Sequence, residues 1–100
     1  MKYTVLISGP AQKELEAIYE WLVEQTEVHA PLWYNDLLNA ILSLDTSPAR
    51  FPIAPESRSE FDQTRQLLFG SKRHAYRILF IIRDENVFIT HIRHASQKQL

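Results

Sequence analysis

The side chains best suited to chemistry crowd into the last third of this sequence. Between Arg65 and Gln97 lie a basic triplet, Lys72, Arg73 and His74, an arginine inside an apolar run at Arg77, and a closing segment holding His91, Arg93 and His94. Histidine titrates near neutral pH and can give or take a proton. A guanidinium holds a phosphate or a carboxylate in a two-pronged geometry. Together these groups could stabilise a phosphate and move a proton, or grip an acidic surface without any reaction. Arg77 stands out, because an arginine within YRILFII is costly to bury unless its charge meets an anion or reaches water. An internal ion pair with a carboxylate from another part of the chain would satisfy it as well as a ligand would. The basic triplet likewise reads either as a phosphate contact or as a solvated turn kept polar for solubility.

Several other chemistries lack their residues. With no cysteine there is no disulfide scaffold, thiol nucleophile or thiolate zinc site, which fits a reducing compartment. His91 and His94 on one strand point to opposite faces and have no carboxylate at ligand spacing, so no metal site is expected. Neither a glycine-rich phosphate loop, nor a serine-nucleophile motif, nor a paired-carboxylate site is present, and no cofactor is expected.

The formal net charge of −1 conceals an uneven distribution. Residues 1–64 hold four Lys/Arg against ten Asp/Glu, a net of −6, whereas residues 65–100 hold seven against two, a net of +5. Such asymmetry suits an anionic partner, nucleic acid or acidic protein, or two poles that attract each other within the fold.

The elements that must position these groups follow from periodicity. Lys2 to Ser8 alternates and is rich in β-formers, giving a short strand. Ser8, Gly9 and Pro10 start a helix reaching about Gln25, with Ala11, Leu15, Ile18 and Leu22 in one stripe and an acidic outer surface. After a polar break from Thr26 to Pro31, a second helix runs to about Asp45 on Ala30, Tyr34, Leu37, Ile41 and Leu44. The short connection makes the pair an antiparallel hairpin. Trp21, Trp33 and Tyr34 on it could anchor a partner, although such residues more commonly pack in or beside a core.

Three prolines within Ser47 to Gln63 forbid regular structure and mark a connecting loop pinned by Phe51 and Phe61. Arg65 to Phe69 is a strand and Gly70 to Arg73 a turn. His74 to Ile82 is a central strand, apolar on both faces, and Arg83 to Asn86 a turn before the final strand, Val87 to His94. The register of that hairpin decides the site. A three-residue loop over Asp84 to Asn86 sets Arg77 against Arg93 and Leu79 against His91, two like charges that need an anion between them. Pairing Asp84 with Val87 sets Arg77 against His94 instead. The order implies an α+β fold over residues 1–100: an N-terminal strand and a two-helix hairpin packed on one face of a largely antiparallel four-stranded sheet. Neither a signal peptide nor a membrane span is visible, so a single soluble, cytoplasmic domain is expected.

These segments resemble the RelE/ParE superfamily of bacterial type II toxins across nearly the whole chain. The resemblance rests on AQKELEAIYEWL, WYNDLLNAILSLDTSPARFP and above all HAYRILFIIRDENVFITHIRHASQ, with Tyr76, Arg77, Asp84, Val87, Ile92, Arg93 and His94 in the family pattern. It implies a growth-inhibiting toxin neutralised by a cognate antitoxin whose acidic or amphipathic segment folds over it, with oligomers forming through that complex. Two targets are open. A RelE-like member cuts mRNA on the ribosome, which would make Arg77, His91 and His94 catalytic. A ParE-like member inhibits DNA gyrase by binding, with Lys72, Arg73, His74, Arg77, Arg93 and His94 contacting target or antitoxin. The arginine and tyrosine of the C-terminal segment of RelE have no counterpart at Ser96, Gln97, Lys98 and Gln99. That departure and the acidic hairpin, which would sit badly against ribosomal RNA, incline the resemblance towards ParE.

Overall fold

A computed structural model describes residues 2–58, 63–70 and 75–97. Strand β1 (Thr4–Ile7) leads into helix α1 (Gly9–Gln25), helix α2 (Ala30–Leu42), and strands β2 (Arg65–Phe69), β3 (Tyr76–Arg83) and β4 (Asn86–His94). The sheet order is β1-β4-β3-β2, with β1 parallel to β4 and the other two pairings antiparallel. The helices cover one face, as the expected α+β fold requires.

Helix α1 starts where its capping chemistry dictates. Ser8 accepts a hydrogen bond from the Ala11 amide at 3.2 Å, Pro10 occupies the first turn, and the stripe Ala11, Leu15, Ile18 and Leu22 is buried. In α2 the buried positions are Ala30, Leu37 and Ile41. Expected to run to about Asp45, α2 instead ends at Leu42 and tightens into a 3₁₀ turn over Ser43–Asp45. One local and one long-range bond favour this: the Ser43 hydroxyl donates back to the Ala40 carbonyl at 2.6 Å, and the Asp45 carbonyl accepts the Tyr3 amide at 2.7 Å. The tighter turn keeps Leu44 buried while bringing the chain alongside β1.

The core lies between hairpin and sheet, where Ile78, Phe80, Val87, Ile89 and Ile92 meet Leu15, Leu37 and Ile41. Phe51, from the proline-rich connection, packs against Phe80 and so pins that segment as expected; Phe61 lies outside the described residues.

The β3–β4 hairpin reaches its register by a route that combines a short turn with a bulge. Arg83 pairs with Asn86 across a two-residue turn, in which Asp84 takes the left-handed φ of 54° that aspartate tolerates. Between Leu79 and Phe80 the register then shifts, because Leu79 faces His91 and Phe80 faces Ile89, leaving Thr90 as the extra residue. Arg77 therefore faces Arg93, the arrangement that a three-residue loop would have produced. The bulge resets the alternation of β4, so that Ile92 joins Val87 and Ile89 on the helical face.

Past the end of β1, the cap of α1 and a side chain from its second turn take over its role as a pairing partner. Strand β1 covers Asn86 to Ile89 and stops. Beyond it the Ser8 hydroxyl donates to the Thr90 carbonyl at 3.0 Å, and Glu14 accepts the Ile92 amide at 2.9 Å. On the side of β4 where β1 has ended, these groups thereby find partners although no strand lies there.

Candidate functional site

On the sheet face away from the helices, Arg77 is the organising residue. It is buried near the start of β3, an interior strand of the sheet, and the fold supplies its anion internally. Its guanidinium makes a two-pronged pair with Glu56, Nη1 to Oε2 at 2.7 Å and Nη2 to Oε1 at 2.5 Å. Nε and Nη2 also donate to the Gln66 Oε1 at 3.0 and 2.9 Å. The two charged side chains are only 10% and 6% exposed, so this pair is largely desolvated. Bonding to Glu56 raises the arginine pKa above its ordinary value against the lowering effect of burial, which keeps Arg77 charged.

Glu56 and Gln66 were not singled out from the sequence. Gln66 carried a signal in its strand parity, since it pairs opposite Leu79 and so shares the face of Arg77. Glu56 sits in the proline-rich connection, where no periodicity says which way a side chain points.

The other candidates divide between the two faces. Arg93 lies opposite Arg77, and His91 lies opposite Leu79 with its Nδ1 3.3 Å from the Glu14 carboxylate. A cleft of about 300 Å³ adjoins His91, lined by Glu56, Arg58, Thr64, Leu79, Thr90 and His91. His94 is on the helical side, pairing with Tyr76 across the strands and meeting its ring edge-on at 5.1 Å. The His94 Nδ1 is 2.7 Å from the Ser96 hydroxyl. Tyr76 continues into an aromatic cluster with Trp33 at 5.5 Å, and Trp33 with Phe69 at 5.2 Å; burial raises the Tyr76 pKa above the usual tyrosine value. Arg77 and His91 thus share a face that His94 does not, while Lys72, Arg73 and His74 lie outside the described residues.

Among the described residues no group of three or more His, Asp or Glu could hold a metal ion. No helix among them is long and apolar enough to cross a membrane.

Comparison with solved structures finds the same fold in bacterial toxin–antitoxin systems. The chromosomal ParDE system of Pseudomonas aeruginosa contains a chain that superposes with a TM-score of 0.72 at 19% identity, over 93% of this chain and 96% of that one. A mutant of the Escherichia coli toxin RelE in the free state gives 0.62 at 16% identity, over 96% and 86%. The Mycobacterium tuberculosis toxin–antitoxin complex RelBE2 gives 0.56 at 23% identity, over 94% and 99%. No curated protein matches by sequence. The family model for the ParE toxin of the type II toxin–antitoxin system parDE matches residues 5–99, and this chain, with its hairpin-backed four-stranded sheet, belongs to that toxin family.

Proposed function

We propose that this toxin arrests growth by binding DNA gyrase in the cytoplasm, without cutting RNA, and that a cognate antitoxin neutralises it by folding a segment over its surface. The observation that carries this reading is the Arg77–Glu56 pair. A scissile phosphate would have to displace a carboxylate that already makes both prongs of the guanidinium contact in a site with little water. The histidines do not complete a catalytic set around Arg77 either. His91 is beside Glu14, and His94 is on the opposite face beside Tyr76 and Ser96. The basic groups Lys72, Arg73, His74, Arg93 and His94 then serve to grip target or antitoxin, and higher assemblies form through the antitoxin complex.

The test is induction of the toxin alone in a bacterial host, with labelled thymidine and labelled methionine followed over the first minutes. An early fall in thymidine incorporation, with translation intact, supports gyrase as the target. A first fall in methionine, abolished by Arg77→Ala in a protein that still folds, would overturn this reading in favour of a ribosome-dependent nuclease.

A further inference from the structure

The far end of the helical hairpin carries a feature that the toxin assignment leaves unused. A cavity of about 360 Å³ opens between the last turn of α1, the first turn of α2 and the start of β3, walled by Trp21, Leu22, His29, Ala30, Trp33 and Tyr76. Its floor belongs to the core, for Leu22, Ala30 and Tyr76 are all buried. Trp21 stands at the rim 43% exposed, and Val28 and Leu32 on the same tip are 77% and 67% exposed. Single apolar residues on a surface are ordinary, but three on one hairpin tip, one of them walling an apolar cavity, mark an interaction site. The space is at the low end of the roughly 300–1,000 Å³ of small-molecule sites, enough for one or two large side chains.

The surrounding charge identifies the occupant. Residues 9–36 contain Lys13 against Glu14, Glu16, Glu20, Glu24, Glu27 and Asp36, a net of −5. Glu20, Glu24 and Glu27 are exposed and belong to the stretch that carries Trp21 and leads to Val28. A nucleic acid would be repelled here, whereas a cationic peptide would be drawn in and held.

We propose that the hairpin tip is a docking site for a basic amphipathic segment of a protein partner. The segment seats a large apolar side chain between Trp21, Trp33 and Tyr76 and lays its lysines or arginines against Glu20, Glu24 and Glu27. The site is on the helical side of the sheet, away from the face of Arg77, and does not depend on gyrase being the target.

Both tryptophans of the chain wall the cavity, so intrinsic fluorescence reads its occupancy directly. The probes are a synthetic amphipathic helix of leucine and lysine and its leucine–glutamate counterpart, titrated into the intact toxin. The lysine peptide is expected to shift tryptophan emission and saturate, and the glutamate peptide to leave it unchanged. Replacing the three exposed glutamates by glutamine (E20Q/E24Q/E27Q) should weaken binding about tenfold. Trp21→Ser, read through Trp33, should weaken it by a similar factor, which a purely electrostatic association would not show. All four positions are exposed, and circular dichroism confirms folding of each variant. Equal binding of both peptides, no saturable change, or undiminished affinity in either variant would overturn the proposal.

Discussion

Replacing Glu56 by glutamine removes one negative charge from a place that water scarcely reaches while leaving the side chain nearly the same size. In the native protein the carboxylate offers an oxygen to each of two guanidinium nitrogens, and Gln66 alone cannot neutralise the cation that remains. The glutamine amide would keep one acceptor and turn its NH₂ towards a guanidinium donor, so one hydrogen bond is lost and a donor faces a donor. Arg93, directly across the strands, adds a second positive charge to the same face. Removing one partner of a buried pair costs about 3–5 kcal/mol, a large part of the roughly 5–15 kcal/mol that stabilises a native domain. At about 4–8 °C per kcal/mol for a domain of this size, the melting temperature should fall by at least roughly 12 °C. Urea unfolding at two salt concentrations measures the loss, which should change little with salt because the pair is screened from solvent. The control, Glu56→Leu with Arg77→Met, removes both charges and should stay within about 1 kcal/mol of native or exceed it. A Glu56→Gln loss below about 1 kcal/mol, or a double variant as unstable as the single one, would refute the view of this pair as desolvated and mutually dependent.

Four further outcomes follow from the geometry. Glu14→Ala should cost about 1–3 kcal/mol and accelerate hydrogen exchange at the Ile92 amide, which loses its acceptor. Deleting Thr90 removes the bulge but leaves a regular ladder in which His91 still faces Leu79 and Ile92 still faces Ile78 on the helical side, so the variant should keep a cooperative unfolding transition in circular dichroism. Leu37→Ala, at a fully buried helix position, should cost about 2–5 kcal/mol in urea unfolding. Tyr76 and Tyr34 have raised pKa values, both chiefly from burial. Above about pH 10 the unfolded chain releases tyrosine protons that the folded chain retains, so stability falls as pH rises through that range. Tyr76→Phe should make the fall shallower in denaturation curves taken across alkaline pH.

Periodicity placed the elements well because each carries its own record of burial. The stripe Ala11, Leu15, Ile18 and Leu22 could only be one face of a helix, and the doubly apolar run after Tyr76 could only be a central strand. The bulge also left a trace: Val87 and Ile89 are two apart, but the next buried residue is Ile92, after the polar doublet Thr90 and His91. That break in parity fixes how Arg77 meets Arg93, and loop-length arguments alone do not find it. The parallel pairing of β1 with β4 was not legible, because nothing local to either strand names a partner some eighty residues away. Glu56 was hidden for a related reason, since its role depends on where an irregular segment crosses the sheet.

The same strand order governs when the sheet can form during synthesis. Strand β4 lies between β1 and β3, so the first strand to be synthesised has no neighbour until residues 86–94 have been made. Helix α1 is capped and bridged to that same strand through Ser8 and Glu14, so it too waits for its anchor. Closing a loop of this length is slow, and the partly made chain exposes the apolar stripe of its hairpin meanwhile. The sheet, and with it the face that carries Arg77, therefore takes its final form only after residues 86–94 have been made.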